Sequence, residues 1–173
     1  MFLTTEMDRT IDHLKSKITD VECSCARSIC GIYSNIIPSH ESLICYGVSD
    51  NQEHAEPKAL SKIVRQVKKV SMLVLNCYKG KVSTSKPCIN CVWKILKSTL
   101  YPKIKFVYFL DDQHELVRYR IYDLITLTEL YITRKDISTG KTHCVGKIKK
   151  LTGMNYTLYH YIGGRKYYHP IVF

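Results

Sequence analysis

At 173 residues, with 45% hydrophobic and 24% charged residues, the chain has the length of one ordinary domain and can bury a core without staples. No run of 18 apolar residues and no charged-then-apolar leader occurs, so a membrane-spanning helix is excluded and an intracellular protein is expected, its eight cysteines free in a reducing compartment. The net charge of +11 is unevenly placed: residues 57–110 hold twelve Lys and Arg and no acid, and residues 137–173 hold six and none. Such blocks favour a polyanionic partner through counterion release, although a solvated helix face looks the same.

Leu3, Met7, Ile11, Leu14, Ile18 and Val21 recur at helical spacing and predict a first helix, with Thr5 and Asp8 placed to cap its start. Ser28–Ser34 and Ser42–Val48 read as an antiparallel pair of strands, after which the polar loop 49–53 delivers the chain to His54. Ala59, Leu60, Ile63, Val64 and Val67 then predict a helix from Ala55 to about Lys69, with Pro57 in its first turn. The apolar run Ser71–Cys77 reads as a central strand covered on both faces, and Tyr78–Lys86 as a basic loop overhanging the site. Pro87 opens a helix from Cys88 to about Leu100, where unpaired N–H groups favour a thiolate at Cys88. Ile104–Leu110 is a fourth strand, Asp111–His114 a tight turn, Glu115–Tyr122 a fifth strand returning antiparallel, and Thr126–Thr133 another extended piece.

After Asp136 the chain turns tyrosine-rich and basic, with Tyr156, Tyr159, Tyr161, Arg165, Lys166, Tyr167 and Tyr168 close together. Such a tail can clamp single-stranded nucleic acid, or form a hairpin whose tyrosines pack on the sheet. The organisation expected is an N-terminal helix over 1–22, a core over 23–136 and an extension over 137–173.

Two motifs carry chemistry: His54-Ala55-Glu56-Pro57 and Lys86-Pro87-Cys88-Ile89-Asn90-Cys91. One histidine and two cysteines are the three ligands of a catalytic zinc that keeps its fourth position for water, and Glu56 is left over to move protons. A C-x-x-C alone is weak, because redox pairs and structural zinc ribbons share it. A redox reading leaves His54 and Glu56 idle, and a structural zinc needs a fourth ligand that no spacing supplies. Cys23, Cys25 and Cys30 lack both a paired C-x-x-C and a nearby histidine, so no second zinc is expected there.

The pattern H-x-E, a gap, then P-C-x-x-C resembles that of the cytidine deaminase-like superfamily of zinc nucleobase deaminases, over roughly residues 25 to 135. A looser likeness, carried by Ser85-Lys86-Pro87-Cys88 and Lys105-Phe106-Val107-Tyr108-Phe109, is to deaminase-like proteins of large DNA viruses and some protists. The resemblance implies an α/β, three-layer α/β/α deaminase fold with a mixed five-stranded sheet. It also implies Zn2+ held by His54, Cys88 and Cys91 at two helix N-termini, and Glu56 carrying protons as cytosine becomes uracil. Backbone N–H groups at Ala55 and Cys88 would face the ring, Asn35 or Asn51 would hold the sugar, and Lys86 joins the substrate contacts from its loop.

The substrate expected is cytosine in a nucleotide or in single-stranded DNA or RNA. An enzyme of free cytidine or deoxycytidine (monophosphate) is the alternative. The hairpin after the fourth strand suits it, since polynucleotide-editing branches usually place a helix there. A catalytically silent deaminase fold that binds nucleic acid or a host protein is the third reading. Self-association, and adenine in place of cytosine, stay open.

Overall fold

The computed structural model describes residues 2–18, 26–63, 67, 69–98, 103–140, 142–162 and 165–169. The first helix, α1 (Phe2–Lys15), lays Met7 and Leu14 inward, as the apolar spacing requires. It has already begun at Phe2, so Thr5 and Asp8 lie inside it and do not cap it; Val21 lies outside the described residues.

Strands β1 (Arg27–Tyr33) and β2 (Leu43–Val48) pair antiparallel as predicted. Helix α2 (Ala55–Ser61) is half the predicted length: the Lys62 N–H donates to the Ala59 carbonyl and the Ile63 N–H to the Leu60 carbonyl, both at 3.2 Å, and these tighter bonds close the helix. Ile63 and Val67 pack on the core although neither is in a helix; Val64 lies outside the described residues. The expected basic loop after β3 (Val70–Tyr78) instead folds back as β4 (Lys81–Ser83), through a turn in which Lys79 and Gly80 have φ of 48° and 72°.

Helix α3 (Ile89–Lys97) is followed by β5 (Ile104–Leu110) and β6 (Leu116–Tyr119), an antiparallel hairpin around the Asp111–His114 turn. Tyr122 is not in that strand but in the short helix α4 (Ile121–Ile125). Of the extended piece predicted over 126–133, only β7 (Glu129–Tyr131) is a strand. Helices α5 (Arg134–Ser138) and α6 (His143–Thr152) precede the hairpin β8 (Thr157–Ile162) and β9 (Arg165–His169).

Two sheets result. The main one is mixed and six-stranded, ordered β2-β1-β3-β5-β6 with β4 on β3; only β3 and β5 run parallel. β4 is the strand beyond the predicted five. The second sheet, β7-β8-β9, joins β7 to the tail hairpin in parallel.

Period-two alternation splits the central strands between two cores. Met72 and Val74 of β3 join Ala55, Ala59, Val92 and Ile95 of α2 and α3 on one face, where Cys144, Val145 and Ile148 of α6 also pack. Leu73, Leu75 and Cys77 face Met7 and Leu14 of α1 on the other. A strand enclosed on both sides reads as an unbroken apolar run, as this one does. Cys23 and Cys25 lie outside the described residues, and Cys30 is a buried free thiol. Among the described residues, no helix is long and apolar enough to cross a membrane.

Gly47 of β2 sets how closely α2 approaches the sheet. A Cβ there would lie 2.5 Å from both the Ala55 carbonyl oxygen and the Ala59 nitrogen, backbone atoms that cannot swing aside. Gly47→Ala is therefore expected to cost about 2–3 kcal/mol by overpacking, a drop of roughly 5–10 °C in Tm. A melting curve superimposable on the wild type would show that α2 does not need this contact.

Candidate metal centre

Each motif is held at a helix start by the strand before it. β2 ends at Val48, and Ser49 is tied back to β1 by its N–H on the Ser28 carbonyl at 2.8 Å and its Oγ on the Ser28 N–H at 2.8 Å. Asp50 then folds the loop, its Oδ1 accepting from the Gln52 and Glu53 N–H groups at 2.8 Å each. Its other oxygen takes Lys58, and this ion pair, ahead of the two backbone bonds, holds the Asp50 carboxyl well below the usual range. His54 follows as the N-cap of α2.

Ser85 does the same for the second motif. Its Oγ donates to the Val74 carbonyl of β3 at 2.8 Å and accepts from the Leu110 N–H of β5 at 3.0 Å. It stitches two parallel strands where their ladder has ended, so Cys88 emerges at a fixed point as the N-cap of α3.

The two N-termini meet. His54 Nδ1 lies 3.1 Å from Cys91 Sγ and 3.4 Å from Cys88 Sγ, and the ligand atoms of all three residues fall within 4.8 Å of one another. Two atoms bonded tetrahedrally to one ion at ordinary Zn–N and Zn–S lengths stand about 3.6 Å apart, so the donor set fits a metal ion. Both cysteines are buried, at 3% and 2% exposure.

Their protons are arranged accordingly. Hydrogen bonding to Cys88 raises the His54 imidazole to about 9 in spite of burial. The bond from Cys91, and then His54 beside it, lower Cys88 to about 7, whereas burial and then Cys88 push Cys91 well up. Zinc takes cysteine as thiolate and histidine as neutral imidazole, so metal binding to this group releases protons.

A cavity of about 200 Å³ opens beside this group, with His54, Glu56, Cys88, Asn76, Lys86 and Tyr131 on its walls. Glu56 sits in the first turn of α2, only 4% exposed, and lies against the Cys91 thiol. It is a carboxylate buried in the cavity and outside the ligand group, a position from which it can exchange protons with whatever the cavity holds.

The other sequence-predicted residues divide. Ala55 is fully buried as the first residue of α2 and packs in the core, not on the cavity wall. Asn51 is exposed in the loop before His54, its carbonyl accepting from Lys135 of α5. Lys86 lines the cavity and donates from Nζ to Tyr159 Oη at 3.1 Å; burial, then Lys166, lowers its pKa.

Asn35 is at the wrong end of the sheet. It follows β1, and its carbonyl accepts from Ser71 at the start of β3, whereas the metal group lies where β3 and β5 end.

Sequence reasoning missed two groups here, Asn76 and Tyr131. Asn76, in β3, lines the cavity; a lone amide in an apolar central strand was the available signal. Tyr131 of β7 forms part of the cavity wall, its phenol pushed up by burial first and then by Cys88. Tyr159 packs 5.8 Å from Tyr131, so the second sheet shelters the cavity with tyrosines. Tyr167 and Tyr168 alone among the tail tyrosines are exposed, and Lys166 pairs with Asp112 and Glu129.

Comparison with known protein families, with curated proteins and with solved structures finds no match to this chain.

Proposed function

We propose that this protein is a zinc-dependent hydrolytic deaminase that converts cytosine to uracil, in a nucleotide or in single-stranded nucleic acid, on a three-layer deaminase fold. The observation that carries the reading is the convergence of His54, Cys88 and Cys91 within 4.8 Å beside a cavity into which a buried, non-ligating Glu56 is built. Soft thiolates with one imidazole suit zinc. A zinc ion on three protein ligands, with a fourth position open, makes water acidic near neutral pH.

The residues of the chain do the rest. The walls of the small cavity hold the pyrimidine with its C4 toward the ligand group. Glu56 takes one proton from the attacking water and passes it to the ring nitrogen as the C–O bond forms. The same carboxylate then carries the remaining hydroxyl proton to the amine, which leaves as ammonia when the C–N bond breaks. Water and cytosine thus give uracil and ammonia, with no other reactant.

One observation favours a free nucleotide over a polynucleotide: β5 and β6 form a direct antiparallel hairpin, a feature of the free-nucleoside branch of the superfamily whose motifs the sequence resembles. The uneven +11 charge favours the polynucleotide. Uracil formation by the purified, metal-loaded chain on cytidine, CMP, dCMP, single-stranded DNA and RNA is expected on at least one of them. No product on any, with metal bound, would leave a binding module.

A further inference from the structure

Among the described residues, Lys86 is the lysine that lines both the cavity holding Glu56 and Cys88 and a smaller one, of about 110 Å³, next to it. Its hydrogen-bond partner is neutral: Nζ donates to Tyr159 Oη at 3.1 Å and stands 5.4 Å from the centre of that ring. The acids on that side go elsewhere, since Lys166 takes Asp112 at 2.8 Å and Glu129 at 3.5 Å. An ammonium has three donors, and half-buried Lys86 is bonded to a phenol with no carboxylate of the described residues in direct ion-pair contact, although Asp112 and Glu129 act on it from across the smaller cavity.

The smaller cavity past Lys86 is walled by Asp111, Asp112 and Glu129 against the single further cation Lys166. One phosphate drawn from the first cavity reaches Lys86; a second, farther on, faces a surplus of carboxylates. The geometry points to a cytosine nucleoside monophosphate as the ligand, its phosphate on Lys86 and any longer phosphate chain turned away by the acidic wall. The base in this assignment rests on the deaminase reading above; the phosphate does not.

Calorimetric titration of the metal-loaded full chain with cytidine, CMP, dCMP, CTP and a short single-stranded oligocytidylate tests this. The monophosphates are expected to bind about ten-fold or more tighter than cytidine, as a charge-assisted hydrogen bond provides, with CTP and the oligonucleotide no tighter than CMP. Lys86→Met should bring the CMP and cytidine affinities together, and Lys86→Arg should keep them apart. Equal binding of CMP and cytidine by the wild type, or a preference that survives Lys86→Met, overturns the assignment while leaving the deaminase standing if cytidine is turned over. Tighter binding of the oligonucleotide overturns it in favour of a polynucleotide. A monophosphate preference without uracil formation keeps the Lys86 subsite and removes the deaminase, and no binding by any of the five removes both.

Discussion

Glu56→Gln is expected to lower cytosine turnover by at least about 10³-fold while the metal content stays at that of the wild type. The glutamine preserves the size of a side chain that is 4% exposed, so the packing at the start of α2 should survive. In the proposed reaction the carboxylate moves a proton twice, first from water to the ring nitrogen and then from the hydroxyl to the leaving amine, and a glutamine can do neither. Metal content should not move because Glu56 is outside the group formed by His54, Cys88 and Cys91. Metal analysis beside a steady-state assay separates the two effects. Turnover within a few-fold of the wild type would mean that another group carries the proton, and loss of metal would mean that Glu56 holds the ion.

The motifs were legible because ligand chemistry is local: H-x-E and P-C-x-x-C each need only one helix start. The strand that delivers His54 was visible too, whereas the short β4 that precedes Cys88 was not. The central strand was legible for the opposite reason, as burial on both faces leaves an apolar run from Met72 to Leu75 that no turn interrupts. Asn35 was misplaced although the predicted hairpin already contained the answer. In an antiparallel pair the chain leaves the two strands at opposite edges, so the residue after β1 and the histidine after β2 cannot share a site. The turn at Lys79–Gly80 carried a short-range hairpin signal, but a three-residue strand beside a run of lysines looks like loop. Tyr131 was out of reach in a stronger sense. Its strand has three residues and exists only through pairing with β8, 28 positions on at Tyr131↔Tyr159, and such non-local pairing leaves no periodicity to read.

Cys91→Ala is expected to lower bound metal from about one ion per chain to a small fraction of that, and with it the thermal stability of the metal-loaded protein. The residue is buried at 2% exposure and its Sγ is the nearer of the two sulfurs to His54 Nδ1, so the change leaves a two-ligand remnant and not a rearranged site. An ion that binds the folded state a hundred-fold below its free concentration adds about 2.7 kcal/mol of stability, roughly 5–10 °C for a chain of this size. Chelation should therefore lower the wild-type Tm by that order and leave the Cys91→Ala curve where it was. Cys45→Ala is the matched control: its thiol donates to the Ala59 carbonyl at 3.4 Å, outside the ligand group, so metal and the chelator response should both persist. Full metal occupancy in Cys91→Ala would reject Cys91 as a ligand. The same loss in Cys45→Ala would show that cysteine removal acts through the fold and not through the ion.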